Sequence, residues 1–123
     1  MRERLAAHQA WAFEEVCRQY TEDHAPEFEV VTVGRYWDKD RELDVAGCDE
    51  QGHVVVAGEC KWSGRPVDLP VARELERKVR EAWPDRAGTI RLLLFSSGGF
   101  TARVRAWSQQ YGARLIGCDE LCG

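Results

Sequence analysis

No apolar run in this 123-residue chain approaches the ~18 residues that a helix needs to cross a bilayer. Nothing at the N-terminus has the pattern of a signal peptide, because Met1-Arg2-Glu3-Arg4 leads into an amphipathic segment. Membrane association is therefore not expected, and a cytoplasmic location is the default. No G-x-x-x-x-G-K-[ST] occurs, which excludes a P-loop cradle for nucleotide phosphates. Positive charge is not in excess: 17 basic against 21 acidic side chains leave a net charge of −4. Holding nucleic acid by bulk electrostatics needs a basic surface that releases counterions, so that class is disfavoured. Five cysteines, an odd number, argue against a disulfide framework. Cys17, Cys48 and Cys60 fall inside helix or strand patterns, where cysteine behaves as a small hydrophobe. Cys118 and Cys122 have no second pair and no neighbouring histidine, too few ligands for tetrahedral zinc. His8, His24 and His53 show no ligand spacing, and no repeat or low-complexity tract appears.

What is present is an ordinary globular composition, 44% hydrophobic and 31% charged, at a length that supports one core and not two. Residues 1–123 are expected to form a single domain. From about Arg4 to Tyr20, the residues Leu5, Phe13, Val16, Cys17 and Tyr20 recur at helical spacing. At about 100° per residue Glu14 falls at the edge of that stripe and Glu15 near its opposite side. A strand from about Glu27 to Trp37, the polar turn Asp38-Lys39-Asp40, a second strand through Asp44, the turn Asp49-Glu50-Gln51-Gly52 and a third strand opening at His53 make an antiparallel meander. Ser63-Gly64-Arg65-Pro66 breaks the third strand. Asp68 to Trp83 reads as a helix with Val71, Leu75, Val79 and Ala82 inward, stopped by Pro84. A buried strand from Thr89 to Ser97, a helix from Thr101 to Tyr111 closed by Gly112, and a short strand from Ala113 to Gly117 complete the chain. Alternating strands and helices after residue 62 imply parallel additions to the meander. The fold class is thus α/β, a mixed sheet flanked by helices.

The chemistry concentrates between Trp37 and Trp62. Asp44 lies on the second strand and Glu59-Cys60-Lys61 on the third, where alternation sends Glu59 and Lys61 to one face and Cys60 to the other. Glu42 and Asp44 share a face of the second strand by the same rule, with Leu43 and Val45 on the opposite one. Two carboxylates and an ammonium on one face can hold a divalent cation and act on a phosphodiester. An acid and a lysine two apart are also the pattern of a solvated ion pair. The nearly continuous apolar run His53-Val54-Val55-Val56-Ala57-Gly58 favours the site, since charges that follow a buried strand are costly without partners. Ser96-Ser97-Gly98-Gly99, before a helix, has the composition of a phosphate nest or of a tight strand-to-helix turn. The basic residues Arg35, Lys39, Arg41, Arg65, Arg73, Arg77, Lys78 and Arg80 surround the motif in sequence, and those on the helix have the pattern of a solvated face.

Gly34-Arg35-Tyr36-Trp37, Glu42-Leu43-Asp44-Val45-Ala46, Gly58-Glu59-Cys60-Lys61-Trp62 and Leu94-Phe95-Ser96-Ser97-Gly98-Gly99-Phe100-Thr101 together resemble the PD-(D/E)XK nuclease superfamily. Within it they are similar to the C-terminal domain of archaeal-type P-loop ATPases, DUF234. The resemblance implies a restriction-endonuclease-like core of helix, three-stranded meander, helix and strand. It implies Asp44, Glu59, the backbone carbonyl of Cys60 and a first-helix Glu14 as ligands of Mg²⁺ or Mn²⁺, with Lys61 acting on the attacking water. Phe13-Glu14 matches the family's Phe-Glu pair; otherwise Glu14 is a surface carboxylate at a helix edge. Arg35, Tyr36, Trp37, Trp62, Ser96 and Ser97 are the expected DNA contacts, the two tryptophans being alternatively core aromatics at strand ends. DNA and a P-loop ATPase domain or another protein are the implied partners, and a homodimer is left open. The expected activity is metal-dependent DNA hydrolysis. The competing expectation is a non-catalytic module of the same fold that docks on an ATPase, which the net negative charge favours and the intact Asp, Glu and Lys set opposes.

Overall fold

The apolar run that begins at Val54 becomes the central strand of a five-stranded sheet. In the computed structural model, residues 2–122 are described, with side chains from residue 8 to residue 121. The strands are β1 (Thr32–Trp37), β2 (Glu42–Cys48), β3 (Val54–Lys61), β4 (Arg91–Ser96) and β5 (Arg114–Gly117), side by side in sequence order. The first three form an antiparallel meander, and β4 and β5 add in parallel to β3. β3 is buried along nearly its whole length, as a strand covered on both faces must be.

One face is covered by α1 (Arg2–Asp23), whose Phe13, Cys17 and Tyr20 pack on Val45, Val56, Cys60, Leu93, Phe95 and Ile116. The other face is covered by α3 (Leu69–Ala82) and α4 (Ala102–Tyr111), following a short α2 (Ala25–Phe28) that belongs to the first side. Here Ala72, Leu75, Val79, Val104 and Trp107 pack on Leu43, Ala57 and Leu94. Burying each such Leu, Val or Phe contributes ~1.5–3 kcal/mol, so the apolar stripes of both helical layers hold onto the sheet. Asp68 caps α3 by accepting from the Leu69 N–H at 2.8 Å, and Thr101 caps α4 by accepting from the Val104 N–H.

The structure departs from the sequence expectations at five places. Residues 27–31 are not strand: Pro26 stands in the first turn of α2, Glu29 ends the helix at φ 60°, and Phe28 is buried beneath the Arg114 guanidinium. Val16 is exposed, and the inward face of α1 continues through Arg18 and Thr21 instead. On α3 the inward positions are Ala72, Leu75 and Val79, with Val71 and Ala82 only half-buried. A terminal helix α5 (Cys118–Cys122) follows β5. Finally, Leu43 and Val45 face opposite sides of the sheet, Leu43 toward α3 and Val45 toward α1. The pairing Gly34↔Ala46 followed by Tyr36↔Leu43 sets Asp44 and Val45 of β2 against Arg35 alone of β1, a bulge that breaks the alternation. The side chains of Leu5 and Cys122 lie outside the described residues.

Candidate active site

The bulge positions the first acid. β2 and β3 pair from Cys48↔Val54 to Val45↔Gly58 and then separate. The Cys60 N–H, left without a β2 carbonyl, donates instead to Asp44 Oδ2 at 2.9 Å. A residue's N–H and C=O leave a strand on the same side, so the Cys60 carbonyl turns to the same gap. The Cys60 side chain points the other way, into the core under α1.

Glu59 is 6% exposed, on the face toward α3, and its carboxyl hydrogen-bonds with that of Asp44. Burial pushes the Glu59 carboxyl up to about 7, with the Asp44 hydrogen bond and charge adding to the rise and Lys78 opposing it. Lys78 reaches across from α3: its Nζ donates to Glu59 Oε1 at 2.7 Å and to the Glu42 backbone carbonyl at 2.9 Å. Lys61, two residues beyond Glu59, is exposed and has no acidic partner among the described residues. Glu59, Lys61 and Lys78 line one open cavity of about 360 Å³ together with Pro70, Val71 and Glu74.

On the α1 side Arg18 is buried and donates from Nη1 to the Asp44 backbone carbonyl at 2.9 Å. It also pairs with Glu15 and, at 3.8 Å, with Glu14. The side chain of Glu14 is half-buried and that of Glu15 is exposed, as the helical phase requires. Burial first and the Asp44 charge second raise the Glu14 carboxyl, with Arg35 and Arg18 opposing. Among the described residues no three acidic, histidine or cysteine side chains converge closely enough to hold a metal ion. Glu14 therefore does not close a three-carboxylate group with Asp44 and Glu59, although the Asp44 charge reaches it. The donor set nevertheless fits a hard cation: two adjoining carboxylates and a strand-end carbonyl, all oxygen, with an ammonium already drawn in to offset their charge.

The expected nucleic-acid contacts divide. Trp37 is 69% exposed at the end of β1 and Trp62 is 45% exposed after β3 with one side on Phe13, so both stand at the acidic end of the sheet. Arg35 is exposed and pairs with Glu42 at 3.8 Å. Tyr36 is committed elsewhere, its ring against Trp83 and its hydroxyl donating to Asp38 Oδ2 at 2.7 Å. Ser96 is fully buried and its Oγ accepts from the Gly98 N–H, so it presents no hydroxyl to a phosphate. Ser97 accepts from the Ser63 N–H and donates to the Ser63 carbonyl, which clips the 63–66 loop to the turn after β4. His53 is exposed beside its turn.

Two residues of this region escaped the sequence pattern. Arg18 carried a usable signal, since it lies three and four residues after Glu15 and Glu14 and directly after Cys17. Lys78 also carried one: it flanks Leu75 and Val79 on the helix surface and so sits at the border of the buried stripe, not on a solvated face.

The model of the DUF234 family, archaeal and bacterial proteins of unknown function, matches residues 1–79. That stretch contains Glu14, Asp44, Glu59, Lys61 and Lys78. In fold the chain is similar to a repair endonuclease from Pyrococcus abyssi, at 15% identity and a TM-score of 0.52 over 82% of this chain and 45% of that one. It is also similar to EndoMS in a complex with double-stranded DNA, at 16% identity and a TM-score of 0.52 over 85% and 43% of the two chains. At such identities the likeness is one of fold, and the chain spans less than half the length of either endonuclease. No curated protein matches the chain in sequence. Among the described residues, no helix is long and apolar enough to cross a membrane.

Proposed function

The chain belongs to the DUF234 family, and from that premise and the geometry of its acidic end we propose that it is a divalent-cation-dependent DNA phosphodiester hydrolase. The observation that carries this reading is Asp44 Oδ2 in the gap between β2 and β3, 2.9 Å from the Cys60 N–H, with the Glu59 carboxyl adjoining it and Lys61 beside Glu59 in one cavity. Asp44, Glu59, the Cys60 carbonyl and, directly or through water, Glu14 would hold Mg²⁺ or Mn²⁺, which take oxygen ligands. The bound cation would polarise a phosphate oxygen and ease ionisation of the attacking water. Lys61 orients or deprotonates that water and offsets charge developing on the phosphate. Arg35, Trp37 and Trp62 flank the approach, and exposed tryptophan faces suit stacking on bases. The fold likeness to a repair endonuclease and to EndoMS bound to DNA supports DNA as the substrate. The resemblance to the C-terminal domain of archaeal-type ATPases supports a P-loop ATPase partner in the cytoplasm.

The test is cleavage of single-stranded, duplex and branched DNA with Mg²⁺ and with Mn²⁺, wild type against Asp44→Ala. Cation-dependent cleavage that is lost in Asp44→Ala is the expected result. No cleavage of any substrate with either cation overturns the hydrolase and favours a docking module.

A further inference from the structure

We propose that Lys78 is a second phosphate-binding lysine of this site, held on Glu59 only until a cation takes that carboxylate. The inference rests on reading Asp44 and Glu59 as a cation site and adds to it the ligand of the neighbouring cavity.

A buried ion pair with a purely structural job would be sealed away from solvent. This one is not, because Lys78 and Glu59 both line the open cavity, as does Lys61. Two ammonium groups and the Glu59 carboxylate thus share a single opening. Its other charged wall residue, Glu74, is already engaged by Arg77. Its size is at the low end of ligand pockets, ~300–1,000 Å³, ample for a phosphodiester linkage.

Lys78 Nζ lies 2.7 Å from Glu59 Oε1, and an ammonium and a dication on one carboxylate repel strongly where water is scarce. Arrival of the cation therefore releases the ammonium. The Glu42 carbonyl at 2.9 Å is then its remaining partner, and an uncharged acceptor holds an ammonium less firmly than a carboxylate does. The stem of Lys78 is fixed at the flank of the buried α3 stripe, so the freed ammonium stays in the cavity beside Lys61. There the two face whatever anion enters, and a phosphate of the bound strand supplies the oxygens for both. The cation and the substrate phosphate are thereby linked: binding the first makes a lysine available to the second.

The experiment measures two affinities in wild type, Lys78→Ala, Lys78→Gln and Lys78→Arg. Mn²⁺ alone is titrated by calorimetry at pH 8, and a labelled oligonucleotide is followed by stopped-flow anisotropy, with and without Mn²⁺, before turnover. In wild type Mn²⁺ should raise oligonucleotide affinity. Lys78→Ala and Lys78→Gln should bind Mn²⁺ about tenfold tighter, the competing charge being gone, and should lose most of the Mn²⁺-dependent gain in oligonucleotide affinity. Lys78→Arg should keep part of that gain. Opposite movement of the two affinities is the signature, since a merely structural lysine would weaken both. Should Lys78→Ala fail to fold, Lys78→Gln, which retains a donor for the Glu42 carbonyl, decides alone. Mn²⁺ affinity unchanged or weaker in the variants, with wild type binding normally, overturns this inference and leaves the cation site standing. Wild type that binds no Mn²⁺ overturns both.

Discussion

The displaced Glu59 carboxyl makes stability depend on pH in a direction opposite to that of most acidic residues. Its ordinary value is 4.5 and its folded value about 7. Between those values the folded chain holds one proton more than the unfolded chain. Stability from this group is therefore complete below pH 4.5, declines as pH rises toward 7, and is gone above it. At ~1.4 kcal/mol per pH unit the decline amounts to about 3 kcal/mol. For a domain of this length that is roughly 10 °C in Tm. Asp38, held at about 2 by Tyr36 and the Asp40 N–H, is ionised throughout the window and does not contribute to the slope. Glu59→Gln removes the titration while keeping the shape. Thermal melts of wild type and Glu59→Gln at intervals from pH 5 to pH 8, with chelator present, should show the wild type losing about 10 °C relative to the variant. Saturating Mg²⁺ should recover much of that loss at pH 8 in the wild type alone, because the cation replaces the proton. Parallel melting curves for the two proteins across the window would refute the assignment of a shared, buried proton to this pair.

Three other substitutions follow from the geometry. Glu14→Gln should weaken Mg²⁺ or Mn²⁺ binding about tenfold, as loss of an outer partner does, whereas Glu15→Gln should leave it within about twofold; equal effects in calorimetry would show that the helical phase of α1 does not reach the site. Gly98→Ala places a Cβ 2.3 Å from the Arg65 carbonyl and 2.6 Å from that of Ser63, a clash with backbone that should cost about 1–3 kcal/mol in chemical denaturation, and an unchanged midpoint would mean that the 63–66 loop is not clipped to the turn as described.

Most of the fold was legible because apolar periodicity switches clearly along the chain: the near-continuous run at Val54 fixes the central strand, and the stripe through Leu75 and Val79 fixes α3. Residues 27–31 look like strand in the sequence because Phe28 and Val30 alternate, whereas Pro26 and the burial of Phe28 under Arg114 produce a helical turn, and that partner lies 86 positions away in sequence. The placement of Glu59, Cys60 and Lys61 on alternating faces follows from strand geometry alone. Asp44 does not, since its orientation comes from a bulge set by the register against β1, which one strand's sequence does not encode. The charge pattern of Lys78 is that of a solvated helix face, although its place at the border of the Leu75 and Val79 stripe points inward, where it meets Glu59.

The central claim, that Asp44 holds a cation while Lys61 acts on water without holding one, is tested most directly by single-turnover DNA cleavage paired with Mn²⁺ calorimetry on Asp44→Ala and Lys61→Ala. The account predicts that Asp44→Ala loses both cleavage and cation binding. It predicts that Lys61→Ala loses cleavage by a factor on the order of 10²–10⁴, the usual scale of general acid–base catalysis, while binding Mn²⁺ as well as or better than the wild type. Cleavage that survives in Lys61→Ala, or cation binding that survives in Asp44→Ala, would contradict it.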